Sequence, residues 1–142
     1  MSLFDDETRG EIERRLAALV GPVKLVLFTD PADVEGMSSQ VRELLTELAG
    51  MSERVTLEEH VHAADAPASL QYSIARAPAI AVLGARDHGI RYYGAPAGYE
   101  FGTLLEVMDD VARGQAELPP GLAERLAALA GPVHIQVFST PT

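Results

Sequence analysis

PAIAVLGARDHGIRYYG, Pro78 to Gly94, decides how this chain folds. It holds two short apolar runs, PAIAVLG and IRYYG, joined by the polar link Gly84-Ala85-Arg86-Asp87-His88-Gly89. Runs of this length and composition read as strands, and a link of this length favours a hairpin, so the two lie antiparallel. Proline has no backbone N–H to give a ladder, which places Pro78 at the first position of its strand. Tyr92 and Tyr93 are adjacent on the second strand and must point to opposite faces of the sheet.

Upstream, VKLVLF (Val23 to Phe28) is almost continuously apolar and reads as a strand buried on both faces. Before it, residues 5 to 20 form an amphipathic helix with Ile12, Leu16 and Leu19 on one side, Asp5, Asp6 and Glu7 at its start and Gly21-Pro22 at its end. After it comes the turn-rich TDPADVEGMSS. QVRELLTELAG follows, with the helical stripe Val41, Leu44, Leu45 and Leu48. RVTLEEHVH reads as a second strand, joined to the first through a helix and therefore parallel to it. A short helix is expected around Ala68 to Ser73. Downstream of the hairpin, Phe101, Leu104, Leu105, Met108 and Val111 give a helix that closes at Gly114. The order α β α β α β β α is an α/β, thioredoxin-like architecture: a four-stranded mixed sheet flanked by helices, plus an N-terminal helix.

QAELPP, residues 115–120, is a short linker, and after it the chain begins again. EIERRLAALVGPVKLVLFTDP (11–31) and GLAERLAALAGPVHIQVFSTP (121–141) align without a gap at an offset of 110, with ten of 21 positions identical. Alanine and leucine are common, but Gly-Pro-Val in register with a later Phe and Pro is less so. Self-similarity at a fixed offset marks repeated architecture. The expected organisation is a thioredoxin-like domain over 1–114, a linker over 115–120, and over 121–142 the first helix and strand of a truncated second unit. That orphan strand could ornament the first sheet, or pair with another chain as a sticky edge.

Composition narrows the function. Hydrophobic residues make up 47% of the chain and the formal charge is −10. The acidity argues against nucleic acid and against an anionic membrane surface, both of which need clustered Lys and Arg. There is no cysteine, so the chain cannot form disulfides, run thiol chemistry or build a thiolate metal site. No stretch approaches a membrane span or a signal peptide, and a cytoplasmic protein is expected.

RYYGAPAGYEF, Arg91 to Phe101, and the segment Arg76-Ala77-Pro78-Ala79 carry a resemblance. With GPVKLVLF and QVRELLTELAG they resemble the first half of tandem thioredoxin-fold proteins: the glutaredoxin-like protein disulfide oxidoreductases and the N-terminal domain of the flavoprotein subunit of alkyl hydroperoxide reductase. The likeness covers residues 5 to 142. It implies two packed thioredoxin units with dithiol–disulfide exchange at one or both, and a cis-proline loop at Ala77-Pro78. Ser139-Thr140-Pro141-Thr142 is similar to the lead-in to the second half's Cys-x-x-Cys. In the disulfide oxidoreductases the first unit can carry its own Cys-x-x-Cys; in the peroxide reductase flavoproteins it has lost it. Here the positions of the motif read Glu35-Gly36-Met37-Ser38, and this unit sides with the redox-dead version.

The remaining candidates read as structural. Ser38 and Ser39 lack a histidine in their loop to activate a hydroxyl and are expected to cap or turn. His60 and His62 could begin a metal site with Asp65 or a glutamate, but a spacing of two on an acidic strand reads as a solvated pair. His88 and His134 read as incidental. Tyr92, Tyr93, Tyr99 and Phe101 read as packing between the last strand and helix, with one of the adjacent pair free to face a neighbour. Gly94, Gly98 and Gly102 have the wrong spacing for a dinucleotide loop. No cofactor or metal is implied. The expected function is a redox-inactive unit that packs on, and presents, a catalytic second unit. The alternatives are a longer parent active through cysteines after Thr142, and a stand-alone adaptor that homodimerises through the C-terminal strand.

Overall fold

A computed structural model describes residues 2–140. Pro141 and Thr142, the end of the repeat and of the STPT segment, lie outside them. The elements are α1 (Asp6–Ala17), β1 (Val23–Thr29), α2 (Met37–Gly50), β2 (Val55–Val61), α3 (Pro67–Gln71), β3 (Ala79–Leu83), β4 (Arg91–Tyr93), α4 (Tyr99–Arg113) and α5 (Leu122–Ala127). The sheet order is β2-β1-β3-β4. β1 pairs parallel with β2 and antiparallel with β3, and β3 pairs antiparallel with β4. This is the four-stranded mixed sheet of the thioredoxin fold.

Because side chains alternate along a strand, each face takes every second residue of the apolar runs. Val23, Leu25 and Leu27 of β1, with Ile80 and Val82 of β3, meet Ile12 and Leu16 of α1, Val41, Leu45 and Leu48 of α2, and Leu104, Leu105, Met108 and Val111 of α4. The other face is thinner. Val26, Phe28, Ala79, Ala81 and Leu83 pack with Tyr72 and Ile74, beside α3, and with Ala68 and Tyr93 at the margin. Tyr92 joins the first cluster and Tyr93 the second, the split that adjacency demands.

Two glycines admit α4 to the sheet. A Cβ on Gly84 would lie 1.9 Å from the Val111 carbonyl oxygen, and one on Gly21 would lie 2.4 Å from that of Ala112. Arg15 of α1 reaches the same helix, 2.8 Å from Asp109.

The structure corrects several boundaries. α1 stops at Ala17 rather than at residue 20. Its end tightens into i→i−3 bonds, Ala18 N–H to Arg15 and Leu19 N–H to Leu16, and the residue before Pro22 is pushed away from helical geometry. α2 begins at Met37 rather than Gln40, so Met37, Ser38 and Ser39 belong to its first turn and not to a loop. α3 starts and ends earlier than expected, opening with Pro67 at its N-terminus, where the missing N–H costs nothing. At the C-terminus the repeated helix forms as α5, with none of its residues buried. The repeated strand does not form: residues 131–140 have no ladder partner and are exposed. It therefore does not ornament the first sheet. A strand is stable only when a neighbour takes its N–H and C=O groups, and both edges of this sheet stay unextended.

Candidate functional site

The site lies where β1 ends, α2 begins and β3 is entered. Thr29 is buried at the end of β1, and Asp30 follows at the sheet's rim. The chain then turns through Ala32 to Glu35 and enters α2 at Gly36, whose φ of 70° suits glycine. Across from this loop, the Ala77–Pro78 peptide bond is cis and delivers the chain into β3. Between them is a cavity of about 370 Å³ lined by Asp30, Asp33, Val34, Glu35, Met37, Ala77 and Pro78. Val34, at the tip, is 95% exposed.

Hydrogen bonds hold the loop. The Ser38 hydroxyl is buried and accepts the Asp30 N–H at 2.9 Å. Asp30 Oδ1 accepts the Ala32 N–H at 2.8 Å, and Asp33 Oδ2 accepts the Ser39 N–H at 3.3 Å. Ser38 thus ties the end of β1 to the first turn of α2 rather than capping the helix; Gly36 holds the N-cap position. Replacing Ser38 by alanine leaves the Asp30 N–H without its acceptor. The expected cost is about 1–2 kcal/mol, read as a lower urea midpoint with an unchanged slope.

The opposite wall is held by Tyr93. Its hydroxyl accepts the Ala75 N–H at 3.3 Å, and the Arg76 guanidinium lies over its ring, 4.4 Å from the centroid. Pro78 in turn accepts the Gly94 N–H at 2.9 Å. Residues 75–78 therefore run past the cavity on a fixed path. What the site does not contain is a thiol. A thiol at the start of α2 would have the helix dipole to lower its pKa, but the chain has no cysteine. Nor can Ser38 replace one, since it is buried and its oxygen is already engaged.

The other candidates are scattered. His60 sits 2.6 Å from Glu58 and stacks on Phe28; His62 contacts the Ser69 hydroxyl at 3.0 Å. Among the described residues no group of three metal-ligating side chains converges, so His60, His62 and Asp65 are not brought together. His88 lines a separate pocket with Asp110, its Nε2 buried and without a partner. His134 is exposed. Tyr99 stands in solvent, Phe101 packs on Phe4 with ring centroids 5.4 Å apart, and the Tyr92 hydroxyl donates to Glu100. Burial first, then that carboxylate, pushes the Tyr92 hydroxyl pKa upward. Gly94 and Gly98 have φ of 105° and 55° and serve the turn into α4.

Lys24 and then His60 hold the Glu58 carboxyl below its ordinary 4.5. Arg91 does the same for Asp87, and the Ser2 hydroxyl and Leu3 N–H do it for Glu47. A carboxyl with a depressed folded pKa binds its proton more readily in the unfolded chain. Its contribution is therefore complete above the ordinary value and lost as pH falls through the folded one. The melting temperature should stay level from neutral pH to about 5 and drop below about 4.5. Glu58→Gln should make that drop shallower, read by circular dichroism melts along a pH series.

No family model matches the chain. The F subunit of alkyl hydroperoxide reductase in Staphylococcus epidermidis is 24% identical over 141 residues, 99% of this chain. The protein of the same name in Staphylococcus aureus is 23% identical over the same span. The chain spans about a quarter of these curated relatives' length, 25% in each case. Among solved structures, the NTD_N/C domain of alkylhydroperoxide reductase AhpF from Enterococcus faecalis superposes with a TM-score of 0.76 at 27% identity, over 89% of this chain and 61% of that one. A protein disulfide oxidoreductase from Aeropyrum pernix superposes with a TM-score of 0.74 at 24% identity, over 89% and 56%. The likeness to these proteins is thus carried by both sequence and structure, and the superposed structures share the thioredoxin-like fold.

Proposed function

We propose that this chain is the redox-inactive first unit of a tandem thioredoxin-fold thiol–disulfide oxidoreductase. Its task is to support and present a second, catalytic unit. One observation carries the reading. The β1–α2 loop meets the Ala77-Pro78 loop with every backbone element in place, and the residues Glu35-Gly36-Met37-Ser38 hold no thiol. What remains is a groove walled on one side by the Ala77-Pro78 loop, with an acidic, valine-tipped rim. That is suited to holding a segment of polypeptide without chemistry. The relatives' names support the setting, because they belong to peroxide and disulfide reductases of greater length. The thiol chemistry of such a parent would come from cysteines outside this chain. No cofactor is assigned to this unit. Among the described residues no helix is long and apolar enough to cross a membrane, and we place the protein in the cytoplasm.

The test is insulin-disulfide reduction with dithiothreitol as electron donor. The chain should add nothing to the uncatalysed background, and turnover above it would overturn the reading. A second reading, a homodimer built on the C-terminal segment, draws on the exposure of Val133, Ile135, Val137 and Phe138. Light scattering separates the two: a monomer at high micromolar concentration removes the dimer, and a dimer that Val137→Lys dissolves supports it.

A further inference from the structure

At the end of the sheet away from the Ala77-Pro78 loop, the link between β3 and β4 faces the last turn of α4. Between them lies a cavity of about 220 Å³ lined by His88, Ile90, Asp110, Val111, Gln115 and Ala116. Val111 is buried and Ile90 half-buried, whereas Asp110, Gln115 and Ala116 are exposed. The cavity therefore has an apolar floor and a polar mouth.

The link is built to hold His88 over this floor. Asp87 Oδ1 accepts the Gly89 N–H at 2.8 Å, and the Asp87 carboxylate pairs with Arg91 at 2.6 Å. Gly89 takes the turn with φ of 82°. These bonds fix the backbone on either side of His88 and occupy the carboxylate next to it. His88 Nε2 is buried and has no hydrogen-bond partner. Among the described residues that are at least partly buried, it is the only side-chain nitrogen or oxygen in that state. Leaving such a group unpaired costs free energy, and in a folded protein it calls for a reason.

Size and charge define what would pair with it. The cavity is several times the roughly 30 Å³ share of a water molecule and smaller than the roughly 300 Å³ at which sites for drug-sized molecules begin. An apolar cavity of about 150 Å³ takes benzene, so this one has room for a single ring with a substituent. Ile90, Val111 and Ala116 suit the ring. The imidazole nitrogen asks for a hydroxyl, which gives a hydrogen bond to one tautomer and accepts one from the other. The mouth turns anions away. Its one neighbouring cation, Arg113, is shared between Asp110 and Glu117 and also feels Asp109.

We infer that this cavity is a binding site for a small neutral hydroxylated aromatic, a phenol. The ring lies on Ile90 and Val111, and the hydroxyl bonds His88 Nε2. The nitrogen is closed to water as the imidazole stands, so binding turns the imidazole toward the ligand. The site is separate from the Ala77-Pro78 groove and does not depend on the scaffold reading.

The experiment titrates phenol, benzene and benzoate into the full chain and follows them by NMR. Phenol should bind with a Kd on the order of 1 mM, as befits so few atoms. It should move the imidazole signals of His88 and the methyl signals of Ile90 and Val111. Benzene should bind about five- to tenfold more weakly for want of the hydrogen bond, and benzoate more weakly still. His88→Phe keeps a ring and removes the nitrogen, so phenol should lose its advantage over benzene. Ala116→Phe plugs the mouth from an exposed position and should weaken phenol and benzene alike. Neither residue is buried in a core cluster, so both variants should melt within about 5 °C of the parent. The inference is overturned if about 20 mM phenol leaves Ile90 and Val111 unmoved, or if its shifts centre on other residues. Equal binding of phenol and benzene, benzoate binding as tight as that of phenol, or a phenol preference that survives His88→Phe also overturns it. Should His88→Phe fail to fold, undiminished phenol binding in Ala116→Phe does the same.

Discussion

Gly84→Ala destabilises the chain by at least about 3 kcal/mol, and Gly84→Val gives no cooperative folded state. The added methyl would lie 1.9 Å from the Val111 carbonyl oxygen and 2.7 Å from its carbonyl carbon. Both are backbone atoms of α4, so no rotamer change relieves the clash and the helix must lift away from β3. α4 supplies Leu104, Leu105, Met108 and Val111 to the larger core. A gap of even an ångström along that contact forfeits much of the dispersion energy of all four side chains. The contrast is Gly89→Ala. Gly89 has φ of 82° but open space where its Cβ would go. That change meets only the left-handed conformational penalty, about 1 kcal/mol. Urea unfolding followed by circular dichroism ranks the two. If Gly84→Ala leaves the midpoint where it was, α4 does not approach β3 here and the packing described above is wrong.

How much of this was readable in the chain depends on whether the physics was local. β1 and β3 announced themselves, because a strand buried on both faces must be apolar at consecutive positions. Pro78 marked the entry to β3, although the strand itself starts one residue later than expected, at Ala79, since proline cannot serve inside a ladder. The opposite orientations of Tyr92 and Tyr93 followed from the pleat. Ser38 could not be read in the same way. Its partner is the Asp30 N–H, eight residues away across a turn, and only the convergence of β1 and α2 makes the serine a tie rather than a cap. The start of α2 was placed late for a related reason. Gly36 and Met37-Ser38-Ser39 look like turn residues by composition, and burial of Ser38 against the sheet overrides that preference. Gly21 and Gly84 gave no sign of their role, because the demand comes from a helix that is distant in sequence. Val133 to Phe138 failed in the other direction. The pattern of a buried strand is present, but a ladder needs partners and the pattern supplies none.

Phe28→Ala is the second large effect, about 3–5 kcal/mol, and it bears on the site as well as on the fold. Phe28 is fully buried and lies on the thin face of the sheet. Its ring packs edge-on to Tyr72 at 5.8 Å and stacks with His60 at 5.4 Å. The first face could spread a loss of this size over three helices; the second has only the five residues of α3 and the turn after it. Tyr72 and Ile74 lead directly into the loop that carries Arg76 and Pro78, so the cavity's second wall should loosen before the sheet does. Trypsin offers a direct reading, because Arg76 is exposed and held only by its stacking on Tyr93. In Phe28→Ala, cleavage after Arg76 should precede global unfolding. In Leu45→Ala, which opens the first face, it should only accompany it. Equal cleavage profiles for the two variants would mean that the proline loop does not depend on the α3-side core. Phe138→Ala completes the comparison. The same residue type in the same repeated context is 90% exposed there, and its removal should cost nothing measurable, because burial against Tyr72 and His60 is what gives Phe28 its energy.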